Sequence, residues 1–156
     1  MQQLCEKRLE GLDLVAILID GIHLGKQVLV VALGIEISGE KQVLELWQGA
    51  TENTTVVTSL LEDLAARGLN SDRRYLFVVA GAKALRAGIE RVFGGRAEVQ
   101  RCQIHKRRNV KEHLPKSAQG DTDRRIRNAY AMTEYASAKA ELERISRQLA
   151  RISHKS

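Results

Sequence analysis

Three groups of residues in this sequence carry types that do chemistry. Asp20 closes the run Leu14-Val-Ala-Ile-Leu-Ile-Asp20, so a carboxylate stands where a buried strand would end. Such an acid can hold a divalent cation when a second carboxylate stands beside it, because hard cations such as Mg2+ take oxygen ligands. Alone, it serves as a turn or capping residue. Cys102 and His105 follow at Cys-x-x-His spacing. Structural zinc needs four ligands, and Cys5, His23 and His113 are too scattered to complete the set. The pair therefore reads as a thiol packed at a strand end and an imidazole that caps a helix or lines a site. Arg101, Lys106, Arg107, Arg108 and Lys111 surround it. On a helix, positions 107, 108 and 111 share one side and can meet the phosphates of a nucleic acid. A solvated helix face with no partner is the plainer reading.

The charge distribution adds to the last group. Residues 1–95 hold 10 Lys and Arg against 12 Asp and Glu, residues 96–127 hold 10 against 4, and residues 128–156 hold 5 against 3. All of the net +6 therefore lies beyond residue 95, as on a surface that faces a polyanion. At 156 residues the chain has room for one domain with a real core but not for two comfortable ones. With 44 % hydrophobic but only 4 % aromatic residues, that core is built on aliphatic packing. No apolar run approaches the roughly 18 residues that cross a bilayer, so no membrane is expected. The first residues lack the apolar stretch of a secretory signal. Two distant cysteines make no disulfide framework, which places the chain in a reducing cytoplasm.

The elements that must position these groups can be read from periodicity. Leu14–Asp20 is continuously apolar, as in a strand buried on both faces. Gly21 and Gly25 bracket a short turn, Lys26–Gly34 resumes as a second strand, and Ser38-Gly39 turns into a third through Val43 and Trp47. Short turns make these three an antiparallel meander, with Trp47 in the core. From Thr54, apolar residues recur at helical spacing to Leu64, with Asn53 or Thr54 as N-cap and Gly68 as the stop. Tyr75–Val79 reads as a fourth strand, 83–93 as a helix, 98–102 as a fifth strand and 105–114 as a basic helix ending at Pro115, the only proline. A polar loop over 117–123 precedes a helical remainder marked by Leu142, Ile145, Leu149 and Ile152. The order is a mixed α/β layout, a five-stranded sheet flanked by helices.

Two stretches carry a family resemblance. Ile19-Asp20-Gly21-Ile22-His23 resembles the first motif of the bacterial mutator-type insertion-sequence transposases, the D-D-E family with a Cys-x-x-His signature. Val99-Gln-Arg101-Cys102-Gln-Ile-His105-Lys106-Arg107-Arg108-Asn109 is similar to that signature, and is the more specific match. Leu64-Ala-Ala-Arg67-Gly68-Leu69 and Phe77-Val-Val-Ala80-Gly81-Ala82-Lys83 also fit the family pattern. The resemblance runs from about Asp13 to the C-terminus.

The resemblance implies a ribonuclease-H-like core over 13–115, preceded by an N-terminal remnant over 1–12 and followed by the start of an all-helical insertion over 116–156. It implies DNA strand cleavage and transfer assisted by two Mg2+ or Mn2+ ions, with Asp20 as first metal-binding acid and His105 near the scissile phosphate. Gly21, Gly81, Cys102 and Asn109 are motif positions, and Arg101, Lys106, Arg107, Arg108 and Lys111 the expected DNA contacts. The second acid position departs from the pattern, because Ala80 stands where the family has aspartate. The third acid follows the insertion in the family, and the chain is expected to stop before it. Glu134, Glu141 and Glu143 read as exposed helix carboxylates beside Lys139, Arg144 and Arg147. The expectation is a truncated, inactive transposase core, cytoplasmic and nucleoid-associated when on DNA, that holds no metal productively. Its partners would be DNA, further copies of itself or a full-length transposase. The alternatives are a non-catalytic DNA-binding or assembly module, and a non-functional remnant of an insertion sequence.

Overall fold

The computed structural model describes residues 7–25, 27–49 and 53–153. In chain order the elements are β1 (Leu14–Leu24), β2 (Gln27–Glu36), β3 (Lys41–Gly49), α1 (Thr54–Ala66), β4 (Tyr75–Val79), α2 (Lys83–Phe93), β5 (Ala97–Arg101), α3 (Gln103–Glu112), α4 (Lys116–Tyr130) and α5 (Tyr135–Ser153). The chain divides into two compact units, one ending at Cys102 and the other beginning at Gln103.

The first unit is a five-stranded mixed sheet in the order β3-β2-β1-β4-β5. β1, β2 and β3 pair antiparallel, as their short connections require. β4 and β5 join in parallel, each reached through a helix. Asn53 caps α1 by accepting from the Val56 N–H at 3.0 Å, and Gly68 follows its last turn at φ +103°.

Strand pleating divides the side chains between two faces. One face carries Ile17, Ile19, Val30, Ala32, Phe77 and Val79, which are buried in one core with Leu60, Leu61 and Leu64 of α1 and Leu85, Ile89 and Phe93 of α2. Tyr75, Phe77 and Phe93 meet there with ring centroids 5.0–6.3 Å apart. Trp47 packs against the same core, as expected. The other face carries Leu18, Asp20 and Ile22 of β1, opposite Leu33, Val31 and Leu29 of β2.

One buried charge crosses this core. Glu45 of β3 is fully buried, and Arg67 at the end of α1 donates to it through Nη2 at 2.5 Å. Arg67 also donates to Asp63 Oδ2 (2.8 Å), to the Leu44 carbonyl (3.1 Å) and to the Lys7 carbonyl (3.2 Å). One guanidinium thus ties α1 to β3 and to the segment before β1.

In the second unit, α3, α4 and α5 pack in sequence, with Ile126, Ala129 and Ile145 buried. Two expectations are corrected here. β1 does not end at Asp20 but runs to Leu24, because β2 continues to pair with it as far as Gln27. Gly21 lies inside the strand rather than opening a turn. The polar stretch 117–123 is not a loop but the first half of α4. Pro115 precedes the helix with φ −54°, a value preset for helix entry, and Thr122, Ile126 and Ala129 fall at the spacing that buries one helical stripe.

Candidate functional site

Asp20 stands where β1 loses one neighbour. The parallel pairing of β1 with β4 ends at Ile19 and Val79, so the next residues, Asp20 and Ala80, adjoin across the two strands. β5 pairs with β4 up to Arg101, and the Cys102 N–H closes the row by donating to the Val79 carbonyl at 2.7 Å. The C-terminal edge of the parallel strands therefore brings Asp20, Ala80 and Cys102 side by side. Their side chains are a carboxylate, a half-buried methyl group and a half-buried thiol.

That donor set does not fit a divalent cation. Among the described residues no group of three or more His, Cys, Asp or Glu side chains is placed to hold a metal ion. Ala80 is half-buried and its methyl group rests against the apolar core. Mg2+ takes oxygen ligands in near-octahedral geometry, and of these neighbouring positions only Asp20 supplies a carboxylate, the Ala80 methyl group supplying none. Cys5 and the His23 side chain lie outside the described residues, so the zinc alternative meets only Cys102, His105 and His113, which form no such group. His105 belongs to the second unit, half-buried on the first turn of α3.

The basic signature residues separate by role. Arg107 is held by Asp123 of α4 through a two-pronged ion pair, Nε to Oδ1 at 3.0 Å and Nη2 to Oδ2 at 2.9 Å. Arg127 approaches the same carboxylate at 3.6 Å. The Arg107 hydrogen bonds hold the Asp123 carboxyl below the usual range, and charges on Arg127 and Lys111 add to this. Lys106, Arg108 and Lys111 are exposed and make no ion pair with any described residue. Arg107, Arg108 and Lys111 lie on one side of α3, while Lys106 stands about 100° round from Arg107. The Asn109 backbone carbonyl accepts from His113 Nδ1 at 2.7 Å, and the Asn109 side chain is exposed.

The later carboxylates are engaged in helix structure. Glu134 caps α5 by accepting from the Ala136 and Ser137 N–H groups at 2.8 and 2.6 Å. Glu141 accepts from Arg125 of α4 and from Arg144 one turn along. Helical spacing pairs Glu141 with Arg144 of its own helix but gives no sign of Arg125, nor of Asp123 as the partner of Arg107. Both partners lie 16 residues away on another helix, where no local spacing rule applies.

A five-stranded mixed sheet flanked by helices, with a further helical unit after it in the chain, defines an α/β protein. The chain belongs to the mutator family of transposases, whose family model matches residues 12–155. It is 33 % identical over 128 residues to the transposase for insertion sequence element IS6120 of Mycolicibacterium smegmatis, covering 78 % of this chain and 39 % of that protein. It is 31 % identical over 116 residues to the transposase for ISRM5 of Rhizobium meliloti, covering 74 % of this chain and 28 % of that one. With the IS1201 transposase of Lactobacillus helveticus it shares 29 % identity, over 54 % and 22 % of the two chains. The matches thus span well under half the length of these relatives. Among the described residues no helix is long and apolar enough to cross a membrane.

Proposed function

We propose that this chain is the ribonuclease-H-like core of an insertion-sequence transposase that binds DNA without cutting or joining it. The observation that carries the reading is the neighbouring pair Asp20 and Ala80 at the parallel edge, where a metal-dependent strand-transfer site would need two acids. The family's chemistry draws on two Mg2+ or Mn2+ ions that together clamp attacking and leaving oxygens. Asp20 keeps the first acid position of that arrangement and Ala80 empties the second. His105, Gly21 and Gly81 are retained motif positions in a site that lacks its metal-binding pair. The protein works in the cytoplasm, at the nucleoid when on DNA.

DNA contact falls to α3. Lys106, Arg108 and Lys111 are exposed and make no ion pair with a described acid, and Arg107 positions the helix through Asp123. Binding of this kind releases counterions, so log K falls linearly with log salt by about 0.9 for each phosphate neutralised. Fluorescence anisotropy with a labelled duplex, titrated at several salt concentrations, checks this. The expected result is a steep dependence in wild type. Replacing Lys106, Arg108 and Lys111 together by Gln is expected to make the slope shallower by about 3, one per lost phosphate contact. A flat salt dependence in wild type would contradict the assignment.

A further inference from the structure

We infer that Glu45, Arg67 and the segment Lys7–Leu9 form a guard that closes the open edge of β3 against strand addition by a second copy of this chain. The guard is separate from the Asp20 edge and from α3, and DNA binding plays no part in it.

β3 is outermost in the sheet, and β2 is its only strand partner among the described residues. An outermost strand turns alternate N–H and carbonyl groups away from the sheet, where another strand can take them. β3 is nine residues long, enough to accept one. The same strand of a second copy is the matching partner, because two identical antiparallel strands complement each other about a two-fold axis.

That row of polar groups is interrupted first by a bulge. Ala32 pairs with Glu45 and Leu33 with Val43, which leaves Leu44 without a register partner. Its carbonyl is taken by Arg67 Nη2 at 3.1 Å. Two residues on, the Leu46 N–H donates to Glu45 Oε1 at 2.9 Å, while Oε2 of the same carboxylate accepts from Arg67. An acceptor and a donor in the middle of β3 are thus engaged by one buried ion pair. A charged side chain turned inward on an edge strand is a known bar to edge pairing.

The segment before β1 holds the pair in place. The Leu9 N–H donates to the Arg67 carbonyl at 2.8 Å, and Arg67 Nη1 donates to the Lys7 carbonyl at 3.2 Å. Lys7 Nζ donates to Gln42 Oε1 of β3 at 2.8 Å. Leu9 itself is buried in the core. Gly68 gives the segment room, since a Cβ there would meet Glu10 Cγ at 2.3 Å and its backbone N at 3.0 Å. The segment is therefore fastened to β3 through Gln42 and to the end of α1 through Arg67.

The test replaces the ion pair in the full chain by apolar side chains, Glu45→Leu together with Arg67→Met. Such a swap strands no charge, so the variant should still melt cooperatively by circular dichroism. Sedimentation velocity over a range of micromolar concentrations then reads its mass. The guard predicts a concentration-dependent association that wild type lacks, rising towards double the wild-type mass. Adding Val43→Lys, a charge on an exposed position of the same strand, should return the mass to that of wild type. A folded double variant that sediments as wild type does would overturn the inference. Association that Val43→Lys leaves untouched would overturn the β3 edge as its site. If the double variant does not fold, amide hydrogen exchange in wild type decides. The Leu46 amide should exchange at least about tenfold more slowly than that of Gln48, which faces the same way two residues on. Equal exchange at the two positions would overturn the guard.

Discussion

Arg67→Ala is expected to destabilise the first unit by about 3–5 kcal/mol, a large part of the roughly 5–15 kcal/mol that holds a typical domain folded. The side chain lost is 90 % buried, since only 10 % of it is exposed, and the carboxylate it leaves behind, on Glu45, is 1 % exposed. Removing one partner strands a charge in the core, which costs far more than the pair is worth intact. The Leu44 and Lys7 carbonyls lose a donor at the same time. Urea unfolding measures the loss. Adding Glu45→Gln to the variant should recover part of it, because a neutral amide removes the stranded charge while keeping its shape. A loss below about 1 kcal/mol, in the range of an exposed ion pair, would contradict the assignment.

Ala80→Asp is expected to change what the parallel edge can bind. The register sets position 80 beside Asp20, so the substitution pairs two carboxylates where one now stands. Without metal, like charges at close range oppose folding, and the variant should melt below wild type in EDTA. With millimolar Mg2+ the variant should recover. Free ion at about ten times its Kd would stabilise it by about 1.4 kcal/mol, worth roughly 6 °C in a domain of this size. Wild type, with a single acid, should melt at the same temperature with and without Mg2+. An equal Mg2+-dependent rise in both proteins would show that position 80 is not the second acid position.

The order of elements was legible because each announces itself locally. The Leu14–Ile19 run reads as a buried strand, Leu85, Ile89 and Val92 trace a helix over 83–93, and Asn53 marks the start of α1. What escaped depended on partners elsewhere in the chain. Gly21 looks like the end of a strand, yet pairing with Val30 holds it extended. Ser117, Gly120 and Asp121 favour turns, yet burial of Ile126 and Ala129 carries α4 through them. Pro115 was the available signal, since proline before a stripe at helical spacing marks a helix start as readily as a stop.

The candidate site divides in the same way. Asp20, Ala80 and the Cys102–His105 block were readable from motif positions, and the parallel register sets the first two side by side. The basic helix was readable only as a set of charges. Arg107 is committed to Asp123, and Arg101 lies on Gly81, 20 residues earlier in the chain, on the face away from Asp20. Long-range pairing decides which cations remain for a ligand, and sequence spacing carries no record of it. Glu45 is the extreme case. Nothing near it in sequence explains a carboxylate in an aliphatic core, and its answer is Arg67, 22 residues away.

The decisive property of this chain, with Asp20 beside Ala80, is whether it can break a phosphodiester bond. Purified protein incubated with a supercoiled plasmid carrying insertion-sequence ends, in Mg2+ and separately in Mn2+, gives the most direct answer. The expected result is salt-sensitive binding of the plasmid and no nicked or linear product above an EDTA control. Metal-dependent nicking by the wild-type chain, abolished by Asp20→Asn, would contradict it.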